Sequence, residues 1–306
     1  MHSSKIFDRD GYVILPGVFS EEVIDGISGA LEAVKNRKWK PSYFSQATHR
    51  YRKVCLDQFN YIDESMLGFT RNKFLGELSR LSENLLLSKE MKIALSEVFP
   101  YYEEFVMQNN MLFDRSMETL DHIDSWYLDT LPKGALFGAF VALEDISPCS
   151  GPFRVYPGSH KLVHPHALQG LSHDDFIEEI SRIKSNLSCI EFCPRRGDLL
   201  LWHSWLIHGA SRVTDHSYSR KSLTAHYAPL NSSFQTSLRS RPRSVFYSIR
   251  DFFLRRPNRS KRHSIFQLYT PLMTCLENIK YMEAFLKSAF SRKSSFGEIV
   301  DDMRAG

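Results

Sequence analysis

The chain has 306 residues, 39 Lys and Arg against 35 Asp and Glu, and 42% hydrophobic and 13% aromatic residues. This balance excludes a disordered, collagenous or disulfide-rich chain, and the length suffices to bury the core of one large domain. No apolar run approaches a membrane span, and Met1–Asp10 lacks the apolar stretch of a signal peptide, so the chain reads as cytoplasmic. The five cysteines (Cys55, Cys149, Cys189, Cys193, Cys275) are odd in number, and the Cys189/Cys193 spacing fits neither a zinc knuckle nor a redox motif. They are expected to be reduced and mostly buried thiols.

Phe7 to Phe19 alternates into a β-branched run broken at Pro16-Gly17, which predicts a strand followed by a turn. A helix is expected next. Ser20 suits its N-cap, Glu21 and Glu22 suit its positive end, and Val23, Ile27, Ala30, Leu31 and Val34 fall at helical spacing. Leu67 to Val98 reads as helical too, and these helices should flank a sheet. From Glu104 to Tyr227, short segments rich in Phe, Val, Leu, Ile and Tyr are punctuated by Pro and Gly, the pattern of an all-β sandwich or jelly roll. One helix interrupts them at Ser172 to Asn186, where Ser172 and Asp175 form a capping box. The sequence has no internal repeat.

Two residues on either side of one strand residue share a face, so a His-x-Asp triplet on a strand offers a metal two ligands side by side. Two triplets occur, His122-Ile123-Asp124 and His173-Asp174-Asp175, and chance alone would supply about one in a chain with this many histidines and acids. His173 and Asp175 open the predicted helix and read as capping and first-turn residues. His122 and Asp124 lie in the β-rich region, where strand geometry applies. His164 and His166, flanking Pro165, read as loop residues, because no acidic or thiolate partner lies near them.

A facial iron site needs a third ligand from far along the chain and leaves its other positions open. His208 fits: it ends the Gly197–His208 segment, a turn leading into a buried strand. With a turn near Thr214, Arg220 is expected on the strand adjacent to that of His208. Its planar fork could grip a carboxylate beside the metal, and a structural salt bridge is the competing role.

The order and spacing of four passages resemble the phytanoyl-CoA dioxygenase (PhyH) family of Fe(II)/2-oxoglutarate-dependent oxygenases, from about Phe7 to Pro229. They are DGYVILPGVFS; the HID triplet; GAFVALEDIS with SGPFRVYPGSHK; and RRGDLLLWHSWLIHGAS continued by SRKSLTAHYAP. The resemblance implies a mainly β fold with flanking α: a double-stranded β-helix (jelly-roll, cupin-like) core with helices packed on one side. It implies His122, Asp124 and His208 as Fe(II) ligands, Arg220 as the grip on the C5 carboxylate of 2-oxoglutarate, and a dioxygenase that consumes O2 and releases succinate and CO2. It also suggests that Asn110 orients the co-substrate and that His203 supports the metal ligands from behind, although for His203 a core histidine is the competing reading. Ala210 stands where many relatives carry serine, so one co-substrate hydrogen bond is expected to be absent or moved to Ser211. Because Asp124 retains its carboxylate, hydroxylation is favoured over halogenation. Desaturation, ring closure and epimerisation use the same ligands. The Pro157–Lys161 loop is shared with the family and reads as turn chemistry.

The oxygenase domain is expected over residues 1–230, with a basic, mostly helical extension over 231–306 that holds 14 basic and 6 acidic residues. Arg239–Arg262 alone has nine basic residues and one acidic, and Phe246, Ile249, Phe252 and Phe253 fall at the spacing of a basic amphipathic helix. Such a helix could meet an acidic carrier protein, an anionic membrane surface or coenzyme A phosphates, or pack on the barrel with a solvated rim. A second helix is expected near Leu272 to Phe290. No nucleic-acid motif is present. The substrate is expected to be a small molecule or a carrier-bound acyl group. The rival readings are a non-catalytic metal-binding jelly roll, a zinc site on the same fold, and a binding module acting through the basic helix.

Overall fold

The computed structural model describes residues 2–236 apart from 166 and 169, together with 244–249 and 252–257. Two sheets face each other. The major sheet runs in the order Tyr12–Leu15, Leu199–His203, Phe137–Ala142, Ser222–Pro229, Phe105–Phe113, Phe252–Pro257, Ser244–Ile249, and Met66–Leu67 also pairs with Phe105–Phe113. The minor sheet runs His208–Ala210, Phe153–Val155, Ile190–Phe192, and a bridge between His122 and His208 extends it. This is a double-stranded β-helix, as expected.

Side-chain alternation explains how the sheets close. Along Leu199–His203, Leu200 and Trp202 join Phe140, Phe153, Val155 and Phe192 in the apolar layer between the sheets. Leu199 and Leu201 point the other way, with Ala139, Val141, Leu223 and Ala225. That outer face would be exposed without cover. The helices Glu21–Lys35, Glu77–Leu86 and Lys89–Val98 supply it with Ile24, Ile27, Leu31, Leu78 and Leu95. A further helix, His173–Lys184, is capped by Ser172 and buries Phe176 and Ile180 against Ile123, Tyr156 and Ile207 near the minor sheet.

Several expectations are corrected. Residues 7–10 belong to a helix, His2–Asp10, and the first strand begins only at Tyr12. The Leu67–Val98 stretch is not one helix. Gly68 and Gly76, with φ of 64° and 62°, begin or end short 3-10 turns, and Ser88 starts a fresh helix by capping Met91 N. Cys55, Cys189 and Cys193 are free but exposed, because they lie in a loop or beside the short edge strand Ile190–Phe192.

The largest correction concerns the basic segment. Ser244–Ile249 and Phe252–Pro257 form an antiparallel strand pair, and Phe252–Leu254 runs parallel to Phe105–Met107. The apolar spacing that suits a helix also suits strands, the β-branched and aromatic content favours them, and an open sheet edge offered partners for their backbone groups. Phe252 is fully buried, 5.7 Å from Tyr227 between ring centroids. The expected helix near 272–290 lies outside the described residues, as does His166. Among the described residues no helix is long and apolar enough to cross a membrane.

Candidate metal centre

The centre begins with a backbone bridge. His122 N donates to His208 O at 2.9 Å and His208 N to His122 O at 3.0 Å, which brings two histidines 86 residues apart in sequence to a ring separation of 4.4 Å. Ile123 is extended, so Asp124 projects on the same side as His122, but the strand ends there: Asp124 opens a single helical turn, Asp124–Tyr127. The Asp124 Oδ1 atom stands 3.9 Å from His122 Nε2 and 3.6 Å from His208 Nε2. One donor atom from each of the three residues lies within 4.8 Å of the others.

Each histidine is oriented from behind. His122 Nδ1 donates to Leu120 O at 2.7 Å and His208 Nδ1 to Leu206 O at 2.9 Å, which leaves both Nε2 atoms facing Asp124. Burial lowers the His208 pKa to about 4 against the opposing pull of Asp124. Burial alone would raise the Asp124 carboxyl, but His226 and His208 pull it well below the usual carboxylate range. Neutral imidazole beside ionised carboxylate is the state a divalent cation requires. Imidazole and carboxylate donors with open positions suit Fe(II).

Arg220 shares the cavity with these residues and is 3% exposed. No carboxylate among the described residues lies within ion-pair distance of its guanidinium, and its Nε has no hydrogen-bond partner among them. The rings of Phe113 and Phe140 lie 5.3 and 5.7 Å from it, and burial lowers its pKa to about 10. His208 and Arg220 are not on adjacent strands as expected. His208 is in the minor sheet and Arg220 just precedes Ser222–Pro229 in the major sheet, so they meet across the barrel.

Two expected residues lie elsewhere. The Asn110 side chain turns away from the cavity to Thr70, donating to Oγ1 at 3.0 Å and accepting from Thr70 N at 3.3 Å. Its neighbour Asn109 faces inward instead, with Oδ1 2.7 Å from His226 Nδ1. His203 also falls on the outer face. It accepts from Trp205 N at 3.0 Å and sits 5.5 Å from the His160 ring, while burial lowers its pKa to about 4. In both cases a shift of one residue along a strand exchanges the two faces. Ser211 donates to Glu191 rather than facing the cavity, which Ala210 lines.

Sequence reasoning missed Trp202, which donates Nε1 to Asp124 Oδ2 at 2.8 Å, and His226, whose Nε2 is 3.1 Å from the same oxygen. Strand alternation from the buried Leu200 through Trp202 was the available signal. Gly209 leaves room for Asp121, whose Oδ1 would lie 2.4 Å from a Cβ there. Asp121 receives Arg154 Nε at 2.7 Å and the Tyr156 hydroxyl at 2.9 Å, together with Lys184, and so anchors the residue before His122.

A jelly roll whose cavity is lined by two histidines and an aspartate in ligand array and by an unpaired arginine defines an Fe(II)- and 2-oxoglutarate-dependent dioxygenase. The family model described as Phytanoyl-CoA dioxygenase (PhyH) matches residues 7–222, and the chain belongs to that family. It is 23% identical over 257 residues to a phytanoyl-CoA dioxygenase domain-containing protein 1 homolog of Caenorhabditis elegans, covering 72% of this chain and 88% of the relative. Against the peroxisomal phytanoyl-CoA dioxygenase of Bos taurus the identity is 22% over 246 residues, covering 76% and 69%. Among solved structures, the non-heme alpha ketoglutarate dependent carbocyclase SnoK from nogalamycin biosynthesis superposes with a TM-score of 0.57 at 17% identity, covering 76% of this chain and 85% of its own. EctD from S. alaskensis, bound to 2-oxoglutarate and 5-hydroxyectoine, gives 0.55 at 16% identity, covering 75% and 76%.

Proposed function

We propose that His122, Asp124 and His208 hold Fe(II), that Arg220 receives the C5 carboxylate of 2-oxoglutarate, and that the enzyme hydroxylates an unactivated C–H of a small-molecule or acyl substrate. The observation that carries this reading is the buried, unpaired Arg220 in the same cavity as the three donors. A buried guanidinium with no carboxylate partner is costly, and a dianionic co-substrate supplies the missing charge.

When bound, the iron and 2-oxoglutarate supply the oxidising power, with succinate and CO2 as co-products. The protein's residues do the rest. Trp202 and the three donors fix the geometry of the centre, and Phe113, Phe140 and Phe153 keep the cavity wall apolar and limit water. Arg220 orients the co-substrate through two parallel N–H donors. Retention of the Asp124 carboxylate keeps one metal position filled and favours hydroxylation over halogenation. The carbocyclase and epimerase among the structural neighbours show that this fold also serves other outcomes. Nine basic residues against one acidic in Arg239–Arg262 support a substrate with an anionic group, such as a coenzyme A or carrier-linked acyl chain.

The test is an anaerobic titration of metal-free protein with Fe(II) and 2-oxoglutarate, monitored by the visible charge-transfer band of the chelate. The band is expected in wild type and not in His122→Ala or Arg220→Ala. Its absence from folded wild type would overturn the reading.

A further inference from the structure

We propose that His226 is a positioning residue of the metal centre: together with Trp202 it holds Oδ2 of Asp124, so that the carboxylate presents Oδ1 alone to the metal. The inference rests on the reading of His122, Asp124 and His208 as ligands.

The two oxygens of Asp124 have different surroundings. Oδ1 is the one near the Nε2 atoms of His122 and His208, at 3.9 and 3.6 Å. Oδ2 receives Trp202 Nε1 at 2.8 Å and lies 3.1 Å from His226 Nε2. With two nitrogens drawn to one oxygen, a carboxylate that swung to chelate through both atoms would lose both contacts. One-oxygen ligation would leave a bound metal room for a chelating 2-oxo acid and O2.

His226 is placed for this task. It lies on Ser222–Pro229, the strand that follows Arg220, and is 3% exposed. Its Nδ1 is 2.7 Å from Asn109 Oδ1 on the neighbouring strand, where His226 and Asn109 are directly opposed. That contact sets the plane of the ring, whose two nitrogens both face oxygens and so both serve as N–H donors. Nε2 makes no aligned hydrogen bond among the described residues, and the oxygen nearest to it is Asp124 Oδ2, at 3.1 Å. A polar nitrogen left buried in this way needs a partner, and the carboxylate is at hand. Thr224 and Met111 occupy the same inward face, so the strand register that aims His226 at Asp124 also shapes the cavity wall.

The experiment is an anaerobic titration of metal-free protein with Co(II), read by its visible d–d absorption, for wild type, His226→Leu and His226→Gln, with urea unfolding of each metal-free variant as the fold control. Loss of a group supporting a ligand from behind weakens metal binding by roughly 10–100-fold. That loss is expected for His226→Leu. His226→Gln, which retains an N–H at a similar reach, should bind within about threefold of wild type on the same scale. If His226→Leu does not fold, His226→Phe fills the space without a donor and is judged by the same criterion. Equal affinities for wild type and the folded apolar variant would overturn this inference alone, as would a glutamine variant as weak as the leucine one. No Co(II) binding by folded wild type would overturn the ligand reading, and this inference with it.

Discussion

Gly138 lies directly opposite Trp202 in the major sheet, and a Cβ placed on it would fall 2.1 Å from the indole ring. The glycine is therefore the seat of the side chain that holds Asp124 Oδ2. Gly138→Ala is expected to push Trp202 off that oxygen, cost about 1–3 kcal/mol of stability and weaken metal binding by roughly tenfold or more. Urea denaturation and Co(II) titration of the same preparation measure both, and an alanine variant with wild-type affinity would show that the indole contact is dispensable.

Arg220 separates function from stability. If Arg220 receives the co-substrate carboxylate as proposed, 2-oxoglutarate affinity in Arg220→Met is expected to fall by about 100-fold, roughly 3 kcal/mol, since that carboxylate then loses its buried cation. Metal-free stability should hold or rise, because an unpaired buried charge has been removed. Arg220→Lys keeps the charge without the fork and should recover only part of the affinity. A large drop in metal-free stability would identify Arg220 as structural.

His203 predicts an acid sensitivity unrelated to the metal. Its pKa in the folded chain is about 4, below the ordinary histidine value near 6.5, because burial among Phe7, Phe99 and Phe137 disfavours the charged ring. As pH falls, the unfolded chain takes up this proton first, so the stability contribution is intact above about 6.5 and is lost between there and about 4. Urea midpoints of metal-free protein at pH 7 and 4.5 should reveal roughly 2 kcal/mol lost through this residue, and His203→Gln should lose correspondingly less. Identical pH slopes for the two proteins would refute the assignment.

Phe252 helps tie two strands of the basic C-terminal segment, Ser244–Ile249 and Phe252–Pro257, to the barrel's sheet. Phe252→Ala leaves a cavity beside Tyr227 and is expected to cost about 3–5 kcal/mol. Deletion of residues 231–306 would in addition expose the Phe105–Phe113 edge, and the truncated chain should show a lower thermal midpoint and a greater tendency to aggregate. An unchanged midpoint for the truncated chain would instead mark the strand pair as peripheral to the core.

Much of the site could be read from local features. The His122-Ile123-Asp124 spacing, the turn and buried run leading to His208, and Arg220 shortly after are short-range patterns, and strand alternation turns them into chemistry without knowledge of the fold. Ser172 and Asp175 likewise announced a helix start, and the structure has the cap at that serine. Where the reading failed, the deciding quantity was not local. Asn110 and His203 each sit one residue from an inward-facing neighbour, and only pairing with other strands decides which parity faces the cavity. Phe246 to Phe253 fits helix and strand periods alike, and the free edge of Phe105–Phe113 decided between them. Local sequence thus determined which residues could serve the metal and the co-substrate. Tertiary structure alone decided that His208 and Arg220 meet from opposite sheets and that Trp202 and His226 converge on one oxygen of Asp124, because such contacts depend on register between strands far apart in the chain.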